Sequence, residues 1–241
     1  MCGSKIMSIR ELSEEIKKEM SVWEYGILCI LLGNDFVPHM CGVNIRKGGI
    51  EKIKKAYKEK GVKIIKNGEI DWKELKKIIE WMDKEKCNNI EKKEMRMERN
   101  GDKETIFNNA PLFYKEEENY INPLEKNWEK RYYKCLFEKT DSIEEICNNY
   151  FEAIEWIFRY YTDKCYDWNW KYNYDYPPLL GDLAKTKTKS NYFPNCIYNP
   201  VDAKTQLDFV LPNGKNVKDL KFKWAFCRYS WEGHVVFPKD H

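Results

Sequence analysis

The chain has 241 residues, 42% of them apolar, 15% aromatic and 34% charged, which is enough to bury one large core or two small ones without disulfide or metal staples. Its 42 Lys and Arg against 39 Asp and Glu leave a net charge of only +3, so any affinity for an anion has to come from local clustering rather than from the total. Nine cysteines, an odd number with no CxxC pair, argue against a disulfide framework and a zinc site and for a reducing, intracellular compartment. No run reaches the ~18 apolar residues of a membrane span, and the N-terminus does not read as a signal peptide.

Residues 9–32 read as two helices meeting near Ser21, where a serine followed three residues later by Glu24 makes a capping-box signature. The second, "VWEYGILCILL", is apolar nearly all round and predicts a buried helix, with a buried strand as the alternative. Gly33 and Asn34 stop it. After Pro38 comes a short irregular stretch and then an amphipathic segment, with Ile50, Ile53 and Tyr57 on one face and a crowd of lysines on the others. Leu75, Ile78, Ile79 and Met82 recur at i, i+3, i+4 and i+7 and predict a helix over 71–83. Residues 84–109 lose this period, become rich in Lys, Glu and Asn, and read as a partly disordered surface insertion.

The strongest helical signal starts at "DSIEEI", where Asp141 or Ser142 can cap with Glu144 or Glu145. Ile143, Ile146, Cys147, Tyr150, Ile154, Ile157, Phe158 and Tyr161 then hold one face for five turns. The stretch "YDWNWKYNYDYPPLL" is broken as a helix by Pro177-Pro178 and predicts an ordered loop packed by its own rings. Residues 184–199 are again loop-like, "DAKTQLDFVLP" allows one more short helix, and "WEGHVVFP" suggests a strand or extended segment. The fold class expected is mainly α, an irregular helical domain with a long aromatic loop and few strands. It divides into a helical segment over 1–83, a polar insertion over 84–110, and a helical and aromatic-loop segment of the same domain over 111–241.

Three features could carry chemistry. Asp35, in a Gly-Asn-Asp turn at the end of a buried helix, could bind a hard divalent cation through oxygen, or could cap a helix starting near Pro38. By spacing alone the second is the commoner use of such an aspartate. The basic stretch from Arg46 and Lys47 to Lys60 could meet backbone phosphates, helped by a helix N-terminus near Gly48-Gly49, but charge alone favours a solvated face balanced by Glu51 and Glu59. Trp168 and Trp170 alternate with Tyr166, Tyr172, Tyr174 and Tyr176. Exposed rings of that kind stack on unpaired bases, while most of these must pack in the core because so many are adjacent. His39 is the only histidine near a candidate site and reads as a structural residue, and no nucleophile pairs with it by spacing.

Together, "LCILLGNDFVPHM", "IRKGGI", "AYK", "YYKCLF" and "ICNNYFEAIEWIFRYYTDKCYDWNWKYNYDYPPLLGDL", followed by "QLDFVLP" and "WEGHVVFP", resemble in order and spacing the helical middle part of XRN-type 5′-to-3′ exoribonucleases. The resemblance implies part of a nuclease that removes nucleotides one at a time from single-stranded RNA bearing a 5′-monophosphate, using two divalent cations, Mg²⁺ or Mn²⁺, held by a cluster of carboxylates. By position it carries Asp35 over to that metal cluster, as a catalytic and metal-binding residue, and one of Trp168 and Trp170 to the aromatic block that stacks on the 5′-terminal base.

Two departures stand out. In the family the remaining metal-binding carboxylates and the 5′-phosphate pocket lie upstream of the Gly-Asn-Asp motif, whereas 34 residues precede Asp35 here. Two-metal chemistry needs several carboxylates around ions about 4 Å apart, so activity is expected only beside polypeptide that supplies them, such as a separate chain carrying the N-terminal nuclease half. Asp175 stands where the family usually has a histidine. The alternatives are a non-catalytic remnant that binds single-stranded RNA, or a protein-interaction module whose aromatics are all core.

Overall fold

The computed structural model describes residues 8–45, 48–86, 120–122, 125–137, 142–194, 202 and 204. Among them are seven helices and one two-stranded sheet, in the order α1 (Ile9–Lys17), α2 (Val22–Ile30), α3 (Gly49–Lys60), β1 (Ile65–Lys66), β2 (Glu69–Ile70), α4 (Trp72–Lys86), α5 (Trp128–Leu136), α6 (Ile143–Thr162) and α7 (Leu180–Lys185). The fold is mainly α, as the periodicity predicts. None of the helices is long and apolar enough to cross a membrane.

The three helices with the clearest apolar pattern form the centre. Leu75, Ile78, Ile79 and Met82 of α4 are all fully buried, as are Ile27 and Leu28 of α2 and Tyr150, Phe151 and Ile154 of α6. They belong to one core that joins residues on both sides of the 84–110 stretch, and truncating any of these side chains to alanine would cost about 2–5 kcal/mol. Helix α4 packs on α3 and α7, and α2 packs on α1, α3 and α6. Where α7 approaches α4, a Cβ on Gly181 would stand 2.9 Å from an Asp83 carboxylate oxygen. A smaller core gathers Ile121, Tyr132, Leu136 and Phe137 against Ile146, Tyr176 and Leu179.

Helix ends follow local chemistry. Ser142 accepts from the Glu145 N–H at 3.1 Å while the Glu145 carboxylate accepts from the Ser142 N–H at 2.9 Å, a complete capping box for α6. Asp71 accepts from the Glu74 N–H at 3.1 Å at the start of α4, and Gly61, at φ 56°, ends α3. At α2 the expected capping box is absent, since the Ser21 side chain makes no capping bond. Glu24 is buried instead and accepts from the Tyr57 hydroxyl at 2.9 Å and the Ile64 N–H at 2.8 Å, tying α2 to α3 and to the approach to the hairpin. A carboxylate with two donors is tolerable in a core where an empty one would not be.

Five further differences from the sequence expectations are local. No helix starts near Pro38; residues 34–44 are irregular and α3 begins at Gly49. Ile143 and Tyr161, at the ends of the α6 stripe, are 42% and 62% exposed, because the helix outruns the core it packs on. The hairpin turns through Asn67 and Gly68, both at positive φ, a two-residue turn that an Asn-Gly pair signals. The single-turn helix α7 follows the proline pair inside a stretch expected to be loop. Helix α4 runs on through Lys84 to Lys86. Residues 87–119, "QLDFVLP" and "WEGHVVFP" lie outside the described residues.

Candidate functional site

The Gly-Asn-Asp turn is built by its neighbours. Gly33 has φ 81°, and a Cβ there would lie 2.7 Å from the His39 backbone nitrogen, so only glycine lets the chain fold back this closely. Asn34 spends its side chain on the turn, its Oδ1 accepting from the Phe36 N–H at 2.9 Å and the Val37 N–H at 3.1 Å. Its own N–H donates to the Val37 carbonyl at 3.0 Å, and the Met40 N–H closes the loop on the Leu31 carbonyl at 2.9 Å. From below, the fully buried Tyr150 of α6 donates its hydroxyl to the Pro38 carbonyl at 3.0 Å. Burial pushes the Tyr150 phenol up from its ordinary value, which keeps it a donor.

His39 belongs to this scaffold. It is 8% exposed, with Nδ1 3.1 Å from the Met40 carbonyl and Nε2 3.4 Å from the Asn44 amide. A carbonyl only accepts, so Nδ1 carries the proton and Nε2 accepts from the amide. Asp35 is left exposed at the tip, with neither a hydrogen bond nor an ion pair among the described residues.

Phe36 connects this tip to the aromatic residues. Its ring meets Trp156 edge-on at 5.0 Å and Tyr160 at 5.5 Å. Trp156 in turn lies nearly parallel to Tyr160, at 5.2 Å and 12°, and to Trp170, at 5.1 Å and 24°. Its indole N–H donates to the Asp167 carbonyl at 2.8 Å and so fixes the start of the aromatic loop. The far end is clamped by α5, where the Tyr132 hydroxyl donates to the Pro177 carbonyl at 2.8 Å and the Tyr133 hydroxyl accepts from the Leu179 N–H at 3.0 Å and donates to Asp182 at 2.9 Å. Tyr172 and Tyr176 are buried and joined by a bond from the Tyr172 hydroxyl to the Tyr176 carbonyl at 2.9 Å. The loop is therefore ordered by rings of α5 and α6 as well as by its own, more than the sequence expectation of self-packing allowed.

Of the residues singled out in sequence, Asp35 and Trp170 come together through Phe36 and Trp156. Trp168 is half-buried beside the main core, and its indole N–H is enclosed without a hydrogen-bond partner among the described residues. Arg46 and Lys47 lie outside the described residues. Further along the basic stretch, Lys52 donates to the Gly42 carbonyl at 2.9 Å, Lys54 pairs with Glu19 and Lys55 with Glu85; the partners shown are Glu19 and Glu85, not the Glu51 and Glu59 that charge alone suggested. Asp175 is half-buried and has interaction partners. The platform residues Phe36, Trp156 and Tyr160 were not singled out by the sequence; a Trp and a Tyr four apart on α6 share a helical face, and that spacing was the available signal. No group of three or more His, Cys, Asp or Glu among the described residues could hold a metal ion.

Residues 15–122 and 114–220 match the family described as the Xrn1 helical domain, so the match takes in Asp35, α6 and the aromatic loop. The chain belongs to that family. Similar proteins include a "5′-3′ exoribonuclease 2 homolog" of Drosophila melanogaster, 21% identical over 97% of this chain and 32% of that protein. A "5′-3′ exoribonuclease 2" of Gallus gallus is 36% identical over 27% of the chain and 7% of its own length. A "5′-3′ exoribonuclease 1" of Saccharomyces cerevisiae is 28% identical over 52% of the chain and 8% of its own length. The chain thus spans about a third of the Drosophila relative and less of the other two. In this Xrn1 helical domain, α2, which leads into the Asp35 loop, packs directly on α6, which carries Trp156.

Proposed function

We propose that the chain is the helical part of a 5′-to-3′ exoribonuclease that acts on 5′-monophosphorylated, single-stranded RNA by divalent-metal-dependent hydrolysis. Asp35 serves as one carboxylate of the metal cluster, with Mg²⁺ or Mn²⁺ as the cation. The observation that carries this reading is the contrast within one loop: Asn34, His39 and the Pro38 carbonyl are all engaged in holding it, while Asp35 at its tip is exposed and unengaged. The carboxylate is a hard oxygen donor, the kind these ions take. By itself it is one ligand, so the described residues do not make a complete site, and the other carboxylates have to come from polypeptide beyond these residues, in the same longer protein or in a separate chain. Trp170 and Trp168 are the stacking candidates, Trp170 being tied to the Asp35 loop through Trp156 and Phe36, and Arg46 and Lys47 are candidates for the RNA backbone. Five described cysteines are free thiols, in keeping with an intracellular protein.

The test is to combine the chain with a polypeptide carrying the acidic nuclease half and to follow Mg²⁺-dependent release of mononucleotides from 5′-phosphorylated RNA. Release is expected only with both parts present, and Asp35→Ala should abolish it. An inert pair, or full activity of Asp35→Ala, refutes the proposal. The exposed rings of Tyr160, at 37%, and Tyr161, at 62%, favour a second reading in which the chain binds single-stranded RNA without hydrolysing it. That reading requires an affinity for oligonucleotides that falls with salt and weakens in Trp168→Ala or Trp170→Ala.

A further inference from the structure

Away from the Asp35 loop, the first turn of α2, the β1–β2 hairpin and the last turns of α6 enclose a cavity of about 400 Å³. Its walls are largely apolar, formed by Trp23, Ile65, Ile70, Trp72 and Phe158. Trp23 leaves 53% of its surface in solvent, a costly exposure for the largest side chain, and tryptophans of this kind anchor protein interfaces.

The charges decide what the cavity accepts. Arg159 lines it, but its guanidinium is paired with Glu155 at 2.7 Å and lies 4.5 Å over the Tyr166 ring. The second oxygen of Glu155 accepts from the Tyr192 N–H at 2.9 Å, so this pair is neutral and fully engaged. Two carboxylates remain on the lining, Glu69 and Asp163, both exposed and neither in an ion pair among the described residues. Lys66, directly across the hairpin from Glu69, is held by Asp71 at 2.6 Å. Asp163 accepts a neutral hydrogen bond from the Tyr166 hydroxyl at 3.2 Å. Lys164, beside Asp163, has its ammonium 5.6 Å over the Tyr166 ring. An apolar slot whose rim carries two carboxylates outside any ion pair among the described residues disfavours phosphates and matches a ligand that joins an apolar group to positive charge.

We propose that this slot docks an extended segment of a partner protein that presents an apolar side chain flanked by lysine or arginine. Such a segment fills the space beside Trp23 and brings its cations to Glu69 and Asp163. Asp35, Phe36, Trp156, Trp168 and Trp170 are not among its lining residues.

The test follows the indole N–H resonance of Trp23 in the ¹⁵N-labelled chain, identified by its loss in Trp23→Phe, during titration with three probes. These are acetyl-Lys-Leu-Lys-Leu-amide, acetyl-Glu-Leu-Glu-Leu-amide and a 5′-phosphorylated oligouridylate. The basic peptide should shift the resonance saturably, and the Glu69→Lys/Asp163→Lys double variant should bind it about tenfold more weakly, while the other two probes leave the resonance in place. Equal response to the acidic peptide, no response to either peptide, or a larger response to the oligouridylate overturns the proposal, the last by making the slot a nucleic-acid site. Both substituted residues are exposed, and an otherwise unchanged amide spectrum confirms that the variant is folded.

Discussion

The geometry of the Asp35 loop can be tested by a pair of glycines with the same φ and different surroundings. Gly33 and Gly68 both have φ 81°. At Gly68, in the hairpin turn, a Cβ would meet nothing within 4 Å, whereas at Gly33 it would stand 2.7 Å from the His39 backbone nitrogen and 3.0 Å from the His39 Cβ. Gly68→Ala therefore carries only the cost of placing an L side chain in the left-handed region, about 1–2 kcal/mol. Gly33→Ala carries that cost and a backbone overlap as well. Because the neighbour is main chain closed by the Met40 to Leu31 bond, it cannot swing aside, and overpacking of this kind adds about 1–3 kcal/mol. The expected totals are about 1–2 kcal/mol for Gly68→Ala and about 2–5 kcal/mol for Gly33→Ala. Urea unfolding of the two variants beside the parent measures the difference directly, provided the slopes agree. Equal losses would refute the close approach at Gly33 and with it the account of why Asp35 is held at the tip.

Three other outcomes follow from the same structure. Tyr150→Phe leaves the Pro38 carbonyl without its buried donor and should cost about 1–3 kcal/mol in unfolding free energy, and a loss near zero would show that the loop does not rest on α6. Asp35→Ala should change stability by less than about 0.5 kcal/mol, as expected for an exposed residue without partners, so that a thermal melt like the parent's, together with lost nucleotide release, separates function from folding. Alkali should destabilise the chain. Burial, and next the hydrogen bond to Glu24, push the Tyr57 phenol up from 10.0 to about 12, so the unfolded chain releases that proton first as pH rises. The stability tied to this group is complete below pH 10 and is lost on the way to about 12, which unfolding curves across that range would reveal and which Tyr57→Phe should flatten.

Much of the fold was legible because a long helix packed on one side repeats its apolar residues over several turns. The stripes on α4 and α6 are of that kind, and the capping box at Ser142 marks where α6 starts. The stripe of α6 misled only at its ends, at Ile143 and Tyr161, since periodicity says which face a residue is on and not how far the partner surface extends. Two-residue strands are too short to show alternation, so the hairpin was visible only through Asn67-Gly68. The buried role of Glu24 was hidden behind a capping pattern that a serine and a glutamate three residues on satisfy equally well in sequence. The aromatic stack was legible only in part. Trp170 stands out by composition, but its link to the Asp35 loop runs through the contact of Trp156 with Phe36, residues more than 100 positions apart, and local spacing carries no information about such pairings.

The arrangement around Asp35 separates the seat of a carboxylate from the assembly of a metal site. A two-ion centre needs several carboxylates to hold cations about 4 Å apart, and a single exposed aspartate cannot gather them. On the proposed reading, what this chain contributes is position. The loop is fixed at Gly33 by close backbone contact, at Asn34 by its side chain, at Pro38 by Tyr150 and at its flank by the Phe36 ring. Ligands act well when the surrounding residues lock them before the ion or substrate arrives. The polar groups of the loop other than Asp35 are spent on that locking, and the aromatic stack beside it is itself held by α5 and α6. A carboxylate presented this rigidly costs little to bring into register with ligands from another part of the protein. On the proposed reading, a chain whose described residues hold no complete site can still determine where the site forms, and reconstitution then turns on Asp35.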